Sequence, residues 1–156
     1  MRLQNSSAIV FAAQRVGLPL HLAAALVEME SGGASVYGGD VGGYFSQTPR
    51  KVVTEENYEQ FYRAVVTNGA KSNGVGLTQI TYRDFHPDAK RKGLKLWVPE
   101  DNCVYGFTLL KNHLDAQNGD VARAGTLYNA GNLRNGINSY GYRLAEKAQA
   151  WKEALS

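Results

Sequence analysis

Apolar residues recur at helical spacing from the start of the chain. Ile9, Ala12, Ala13 and Val16 fall three and four apart, which predicts a helix over residues 5–16 with Asn5 or Ser6 as its N-cap. Gly17 ends it, and Pro19 opens a second helix over about residues 19–31. The pattern then breaks. "SGGASVYGGDVGGYFSQTPRK", from Ser31, sets β-branched and aromatic residues among glycines and reads as a loop with a small hairpin. Thr54 caps a third helix whose first turn holds Glu55 and Glu56 and which reaches about Thr67. "NGAKSNGVG" is loop, and "LTQITYRDF" begins as a strand or a short helix. Residues 101–117 and 120–130 read as helices capped by Asp101 and Asp120, and 137–155 as a final helix. The expected fold is mainly α, an α+β domain with a small irregular β region.

The second helix raises a question of chemistry. At about 100° per residue counted from Leu22, Leu26 falls near 40° and Ala23 near 100°. Glu30 falls near 80°, inside that apolar sector, and Glu28 near 240°, opposite it. Glu28 should therefore be solvated, and Glu30 should face the core or a cleft. A half-buried carboxyl loses solvation of its charged form and its pKa rises. That makes a proton donor usable near neutral pH, as glycoside cleavage demands of its general acid. The alternative is a helix-end glutamate bonded to nearby loop backbone. Asp40 follows among glycines 38, 39, 42 and 43, which let the chain turn sharply. It is either a second carboxylate or a turn residue satisfying local N–H groups.

Composition narrows the classes. The 156 residues make one domain, long enough for a real core, with 44% hydrophobic and 20% charged residues. The net charge of +3 fits attraction to an acidic polymer. Nucleic acid is not favoured, since "KRKGLK" (90–95) is the only basic run and it is short. The single cysteine, Cys103, excludes an internal disulfide and a Cys-rich metal site. His21, His86 and His113 lack metal-ligand spacing and read as surface or capping residues, so no metal is expected. Trp97 and Trp151 read as packing residues, with Trp97 a minor candidate for stacking on sugar. "AIVFAA" (8–13) is too short to span a membrane and is followed by Gln14 and Arg15, so neither membrane insertion nor a signal peptide is expected.

Two later segments add to this. "SNGVGLTQIT" (72–81) carries Gly74, Gly76 and Gln79 in the pattern G-x-G-L-x-Q, and "LYNAGN" (127–132) carries Tyr128-Asn129-Ala130-Gly131. With "ESGG" (30–33) before them, they resemble the lysozyme-like superfamily of soluble lytic transglycosylases and goose-type lysozymes. As a set, "ESGG…VYG.D.GG", "TEENY..FY" and "SNGVG..QITY" are most similar to glycosidase domains in endolysins of phages that infect actinobacteria. The resemblance covers roughly residues 20–150.

It implies a lysozyme-like fold over residues 1–156 and a muramidase that hydrolyses the β-1,4 bond between N-acetylmuramic acid and N-acetylglucosamine. Glu30 would be the general acid. Asp40 falls where goose-type lysozymes carry a water-positioning aspartate. Thr81 stands where a second aspartate is often found; a Glu30-Asp40-Thr81 set instead resembles phage lysozymes of the T4 type. Gln79 would bond sugar from the cleft wall, Tyr128 and Asn129 would shape the floor, and Tyr140, or in second place Tyr142, would stand beside Glu30. Each has a plainer role open to it: Gln79 bridging loop backbone, Tyr128 or Tyr140 in the core. About thirty residues between Asp40 and Gly74 depart from the goose-type pattern. The resemblance further implies no cofactor, peptidoglycan glycan strands as the partner, a monomer, synthesis in the host cytoplasm and action on the bacterial wall. A lytic transglycosylase forming 1,6-anhydro products is the alternative. A non-catalytic wall-binding or virion structural module is the third reading.

Overall fold

A computed structural model describes residues 2–156. Seven α-helices carry the fold among them: α1 (Ser6–Val16), α2 (Leu20–Glu30), α3 (Glu55–Tyr62), α4 (Phe85–Arg91), α5 (Pro99–Ala116), α6 (Val121–Ala130) and α7 (Ser139–Ala154). The expectation of a mainly helical domain holds. The helix ends follow local chemistry. Gly17 closes α1 in the left-handed conformation, its N–H on the Ala13 carbonyl. Thr54 and Asn57 close a reciprocal capping box at α3, while the Asp120 and Asn138 side chains accept the Arg123 and Gly141 N–H groups at α6 and α7. After Tyr62 the chain widens into a π-helical turn, Arg63–Thr67, in which Asn68 N–H reaches the Arg63 carbonyl.

Several expectations are corrected. The hairpin after Ser31 does not form. Val36 pairs with Val52 and Tyr37 with Val75 in two isolated bridges, because the glycine-rich chain folds across two distant segments rather than back on itself. Asp101 does not cap α5; Val98 holds that position with Pro99 next, and Asp101 accepts the Lys95 N–H at 2.9 Å instead. "LTQITYRDF" forms turns, and only its last residue, Phe85, enters the short α4. Asn5 precedes α1 without capping it, since its amide donates to the Gly33 carbonyl at 2.8 Å. His86 is not at the surface. It is buried, with Nδ1 against the Tyr58 hydroxyl at 2.7 Å. Burial pushes its pKa down to about 4, opposed by the nearby Ile80 backbone. As a neutral ring it is tolerated in an apolar setting.

Two apolar clusters share one helix. Ile9, Leu22, Leu26, Phe107, Leu110 and Leu144 belong to the first, built from α1, α2, α5, α6 and α7. Tyr37, Phe61, Val65, Ile80, Leu96 and Tyr105 belong to the second, under α3, α4 and the loops. α5, about 27 Å long by its 18 residues, supplies Phe107 to one side and Tyr105 to the other. Each fully buried side chain of this size contributes about 1.5–3 kcal/mol. Cys103 lies wholly buried in the first cluster, and burial pushes its thiol up to about 12. α7 packs on both α6 and α2. Its approach to α6 needs Gly141, where a Cβ would meet the Ala122 carbonyl oxygen at 2.2 Å. That close approach sets the height of Tyr140 above the end of α2.

Candidate active site

α2 ends at Glu30, and Ser31 fixes that end. The Ser31 N–H bonds the Val27 carbonyl, its hydroxyl donates to the Leu77 carbonyl at 2.7 Å, and its oxygen accepts the Gly33 N–H at 3.1 Å. A helix of the first cluster is thereby tied to the loop that carries Gln79. Glu30 is half-buried and lines a cleft of about 650 Å³. One wall is Gln79–Tyr82 with Phe85; the other is Leu127–Gly131, and Leu109 and His113 of α5 also line it. Glu28 is exposed, as its wheel position requires, and meets Lys147 at 3.5 Å and the Trp151 indole N–H at 3.2 Å.

Three influences set the state of Glu30. Burial is the largest influence and raises its pKa; the Tyr140 hydroxyl, donating to Oε2, lowers it; the charge of Asp40 raises it. The balance lies at about 7. Glu30 is thus protonated in a large share of molecules near neutral pH. Tyr142, the second candidate for this contact, is 58% exposed and has no hydrogen bond to Glu30.

The remaining candidates divide by what their polar atoms already do. Tyr128 donates its hydroxyl to the Thr78 carbonyl at 2.6 Å, so its ring shapes the floor and its oxygen is engaged. Gln79 sits at φ 53 and donates Nε2 to the Val36 and Gly76 carbonyls, both at 3.0 Å. Its Oε1 has no hydrogen-bond partner among the described residues. It packs where Gly38 and Gly74 leave room, since a Cβ at either would come within 2.3 Å and 2.2 Å of it. Gln79 therefore does bridge loop backbone, while its Oε1 packs against Gly38 and Gly74 without a hydrogen-bond partner among the described residues. Asn129 is exposed on the cleft wall, its Oδ1 held by Asn138 Nδ2 at 3.1 Å. Thr81 is exposed on the same wall and donates to the Gln79 carbonyl at 3.0 Å.

Asp40 is more constrained than the sequence suggests. Its Oδ2 accepts the Gly74 N–H at 2.8 Å, and its carbonyl accepts the Gly43 N–H and the Ser46 hydroxyl. It does not line the cleft itself, yet its charge reaches Glu30. It is both a turn residue and an electrostatic neighbour of the acid.

Two buried asparagines escape sequence reasoning. Asn73 donates to the Gly38 carbonyl and Ser46 and accepts the Phe45 N–H, which locks the Asp40 loop. Asn102 accepts from the Thr78 N–H and hydroxyl and donates to the Val75 and Leu96 carbonyls, which locks the Gly74–Gln79 loop onto α5. The signal for Asn102 was its place on the non-polar face of α5, three and four positions from Val98, Pro99, Tyr105 and Gly106. Asn73 lies in a loop and left no such trace. His113 is half-buried on the cleft wall rather than a free surface or capping residue, and burial lowers its pKa.

No group of three or more His, Cys, Asp or Glu among the described residues could hold a metal ion. Among the described residues, no helix is long and apolar enough to cross a membrane. The model of one protein family, the transglycosylase SLT domain, matches residues 7–149. No curated protein and no solved structure gives a significant match.

Proposed function

The chain belongs to the transglycosylase SLT domain family, a group that cleaves peptidoglycan glycan strands, and on that premise we propose that it is a muramidase of the endolysin type. The reaction is hydrolysis of the β-1,4 bond between N-acetylmuramic acid and N-acetylglucosamine. The carrying observation is Glu30: a half-buried carboxyl on the wall of a cleft large enough for a glycan, poised near neutrality.

Glu30 gives its proton to the bridging oxygen as the bond to the muramic C1 breaks and positive charge spreads over the ring. Tyr140 holds Oε2, so the other oxygen is the one free to deliver the proton. Asp40 accepts a proton from water on the opposite sugar face, and the hydroxide adds to C1 with inversion. Thr81 offers that water a second hydrogen bond. Gln79 Oε1 accepts a bond from sugar, and the Tyr128 ring and Asn129 line the floor. The supports for Asp40 are its electrostatic reach to Glu30 and its anchorage on Gly74. No cofactor enters the scheme.

A second reading has its own observation. Asp40 Oδ2 is already bonded, and Asp40 lies off the cleft wall. Without a base, the muramic 6-hydroxyl attacks C1, its proton passes to the Glu30 carboxylate, and a 1,6-anhydro sugar forms. Mass spectrometry of digested peptidoglycan separates the two, because reducing and anhydro ends differ by one water. Reducing ends are expected; anhydro ends replace hydrolysis with transglycosylation.

A further inference from the structure

A second cavity, of about 580 Å³, opens between α3, the π-helical turn, α4 and the segment that follows α4. It shares no lining residue with the Glu30 cleft. Its volume lies within the range of small-molecule sites. Tyr58, Tyr62 and Trp97 give it an aromatic floor, and Arg63, Lys90 and Lys95 stand on its wall against one acid, Glu59.

Only five of the seventeen Lys and Arg pair with a carboxylate among the described residues, so an unpaired cation is common in this chain; what sets these three apart is that they line one cavity. Arg83, Arg91, Lys92, Lys111 and Lys147 each sit within 4 Å of a carboxylate. Among the described residues, Arg63, Lys90 and Lys95 have no such partner. Lys90 is held over the Tyr62 ring, 5.0 Å from its centroid, a contact that steers its charge without neutralising it. The indoles also differ. Trp151 gives its N–H to Glu28. Trp97 packs its ring on Tyr58, 5.5 Å between centroids, and its N–H has no partner among the described residues. An aromatic floor with a spare donor suits the face of a sugar ring, and three unpaired cations suit a carboxylate or phosphate on it.

We propose that this cavity is a second glycan-binding site, for a sugar that carries an anionic group, separate from the cleft where bonds are cut. It gives the enzyme a hold on its polymer that does not occupy the catalytic residues. The choice of wall-derived sugars rests on the family's peptidoglycan substrate. The site itself does not rest on any catalytic assignment.

The test uses the full chain carrying Glu30→Gln, labelled with nitrogen-15, in which the two indole signals report separately. Three probes are titrated: N-acetylmuramic acid, N-acetylglucosamine 1-phosphate and neutral N-acetylglucosamine. The Trp97 indole is expected to move with at least one anionic sugar while Trp151 stays. Two exposed ion pairs predict a preference over the neutral sugar of roughly fivefold. Lys90→Gln with Lys95→Gln should erase that preference, yet leave cleavage of soluble glycan intact in the chain with Glu30 restored. A response to the carboxylate sugar alone assigns the muramic glycan as the source; a response to the phosphate sugar alone assigns a phosphate-bearing wall polymer. Three results overturn the proposal: a silent Trp97, equal response to the neutral sugar, or a preference that survives the double substitution. None of these touches the cleavage assay, so the two readings fail independently.

Discussion

The hydroxyl of Tyr140, on the last helix, donates a hydrogen bond to Glu30 at the end of the second, across 110 positions of chain. The contact works against the other two influences on that carboxyl. Burial and Asp40 hold the proton on; Tyr140 favours its release.

Opposite shifts in the pH profile follow. In the proposed mechanism Glu30 must be protonated to act, so cleavage should fall as pH rises through about 7. Tyr140→Phe removes the bond to the carboxylate and should move that limb to higher pH. Asp40→Asn removes a repelling charge and should move it lower in whatever activity remains. Rate profiles on soluble glycan fragments check both. Shifts of the same sign would mean that the two residues do not act on Glu30 in this way.

Glu30→Gln should lower cleavage on the order of 10²-fold or more with the fold intact. It should also change stability. Burial, opposed by Tyr140 and aided by Asp40, raises Glu30 from 4.5 to about 7, so between those values the folded chain binds more protons than the unfolded one. Stability is full below the unfolded value and is lost as pH rises through the folded one. Glu30→Gln should abolish that loss and gain on the order of 2–3 kcal/mol at pH about 8 relative to the parent. Denaturant melts at low and high pH measure it. Glu28→Gln should do little to cleavage.

Asp40→Asn should lose most hydrolysis while the chain still binds peptidoglycan fragments, and Thr81→Ala should lose less. The amide fills the same space but cannot take a proton from water. Product analysis and binding, measured together, decide it. Full hydrolysis by Asp40→Asn would reduce Asp40 to its turn bonds.

Asn102→Ala should cost about 1–3 kcal/mol, because it leaves the Thr78 N–H and the Leu96 carbonyl unpaired in the interior, while the Thr78 hydroxyl keeps the Asn102 backbone carbonyl and the Val75 carbonyl keeps the Ile80 N–H. Thermal melts give the loss. Since the Gly74–Gln79 loop hangs on that side chain, the folded fraction should also cleave more slowly than the parent.

The helices were legible because their chemistry is local. Apolar spacing and caps such as Gly17, Thr54 and Asp120 act within a few residues, and the helices formed where those signals stood. Glu30 was legible for the same reason, since one helical wheel separates it from Glu28. The loops were not. Val36 and Tyr37 find partners at Val52 and Val75, a choice set by tertiary packing rather than by any turn sequence. Asp101 reads as a cap by type, yet the chain spends it on Lys95 because Val98-Pro99 already starts the helix. His86 was misplaced because its burial depends on Tyr58 and Phe61, 28 and 25 positions away by number. That Gln79 bridges loop backbone was open in the sequence, but its bond to the Val36 carbonyl, 43 positions away, lies beyond any linear pattern.

Cys103 turns the shared helix into a clock. Its sulfur lies fully buried on the second turn of α5, and burial holds the thiol well above its ordinary range. Thiolate is the reactive form, so a folded molecule should ignore alkylating reagents and mild oxidants. Labelling must wait until α5 leaves its neighbours, and α5 belongs to both apolar clusters. The rate of modification at this one atom thus records how often the whole domain lets go, without any added probe.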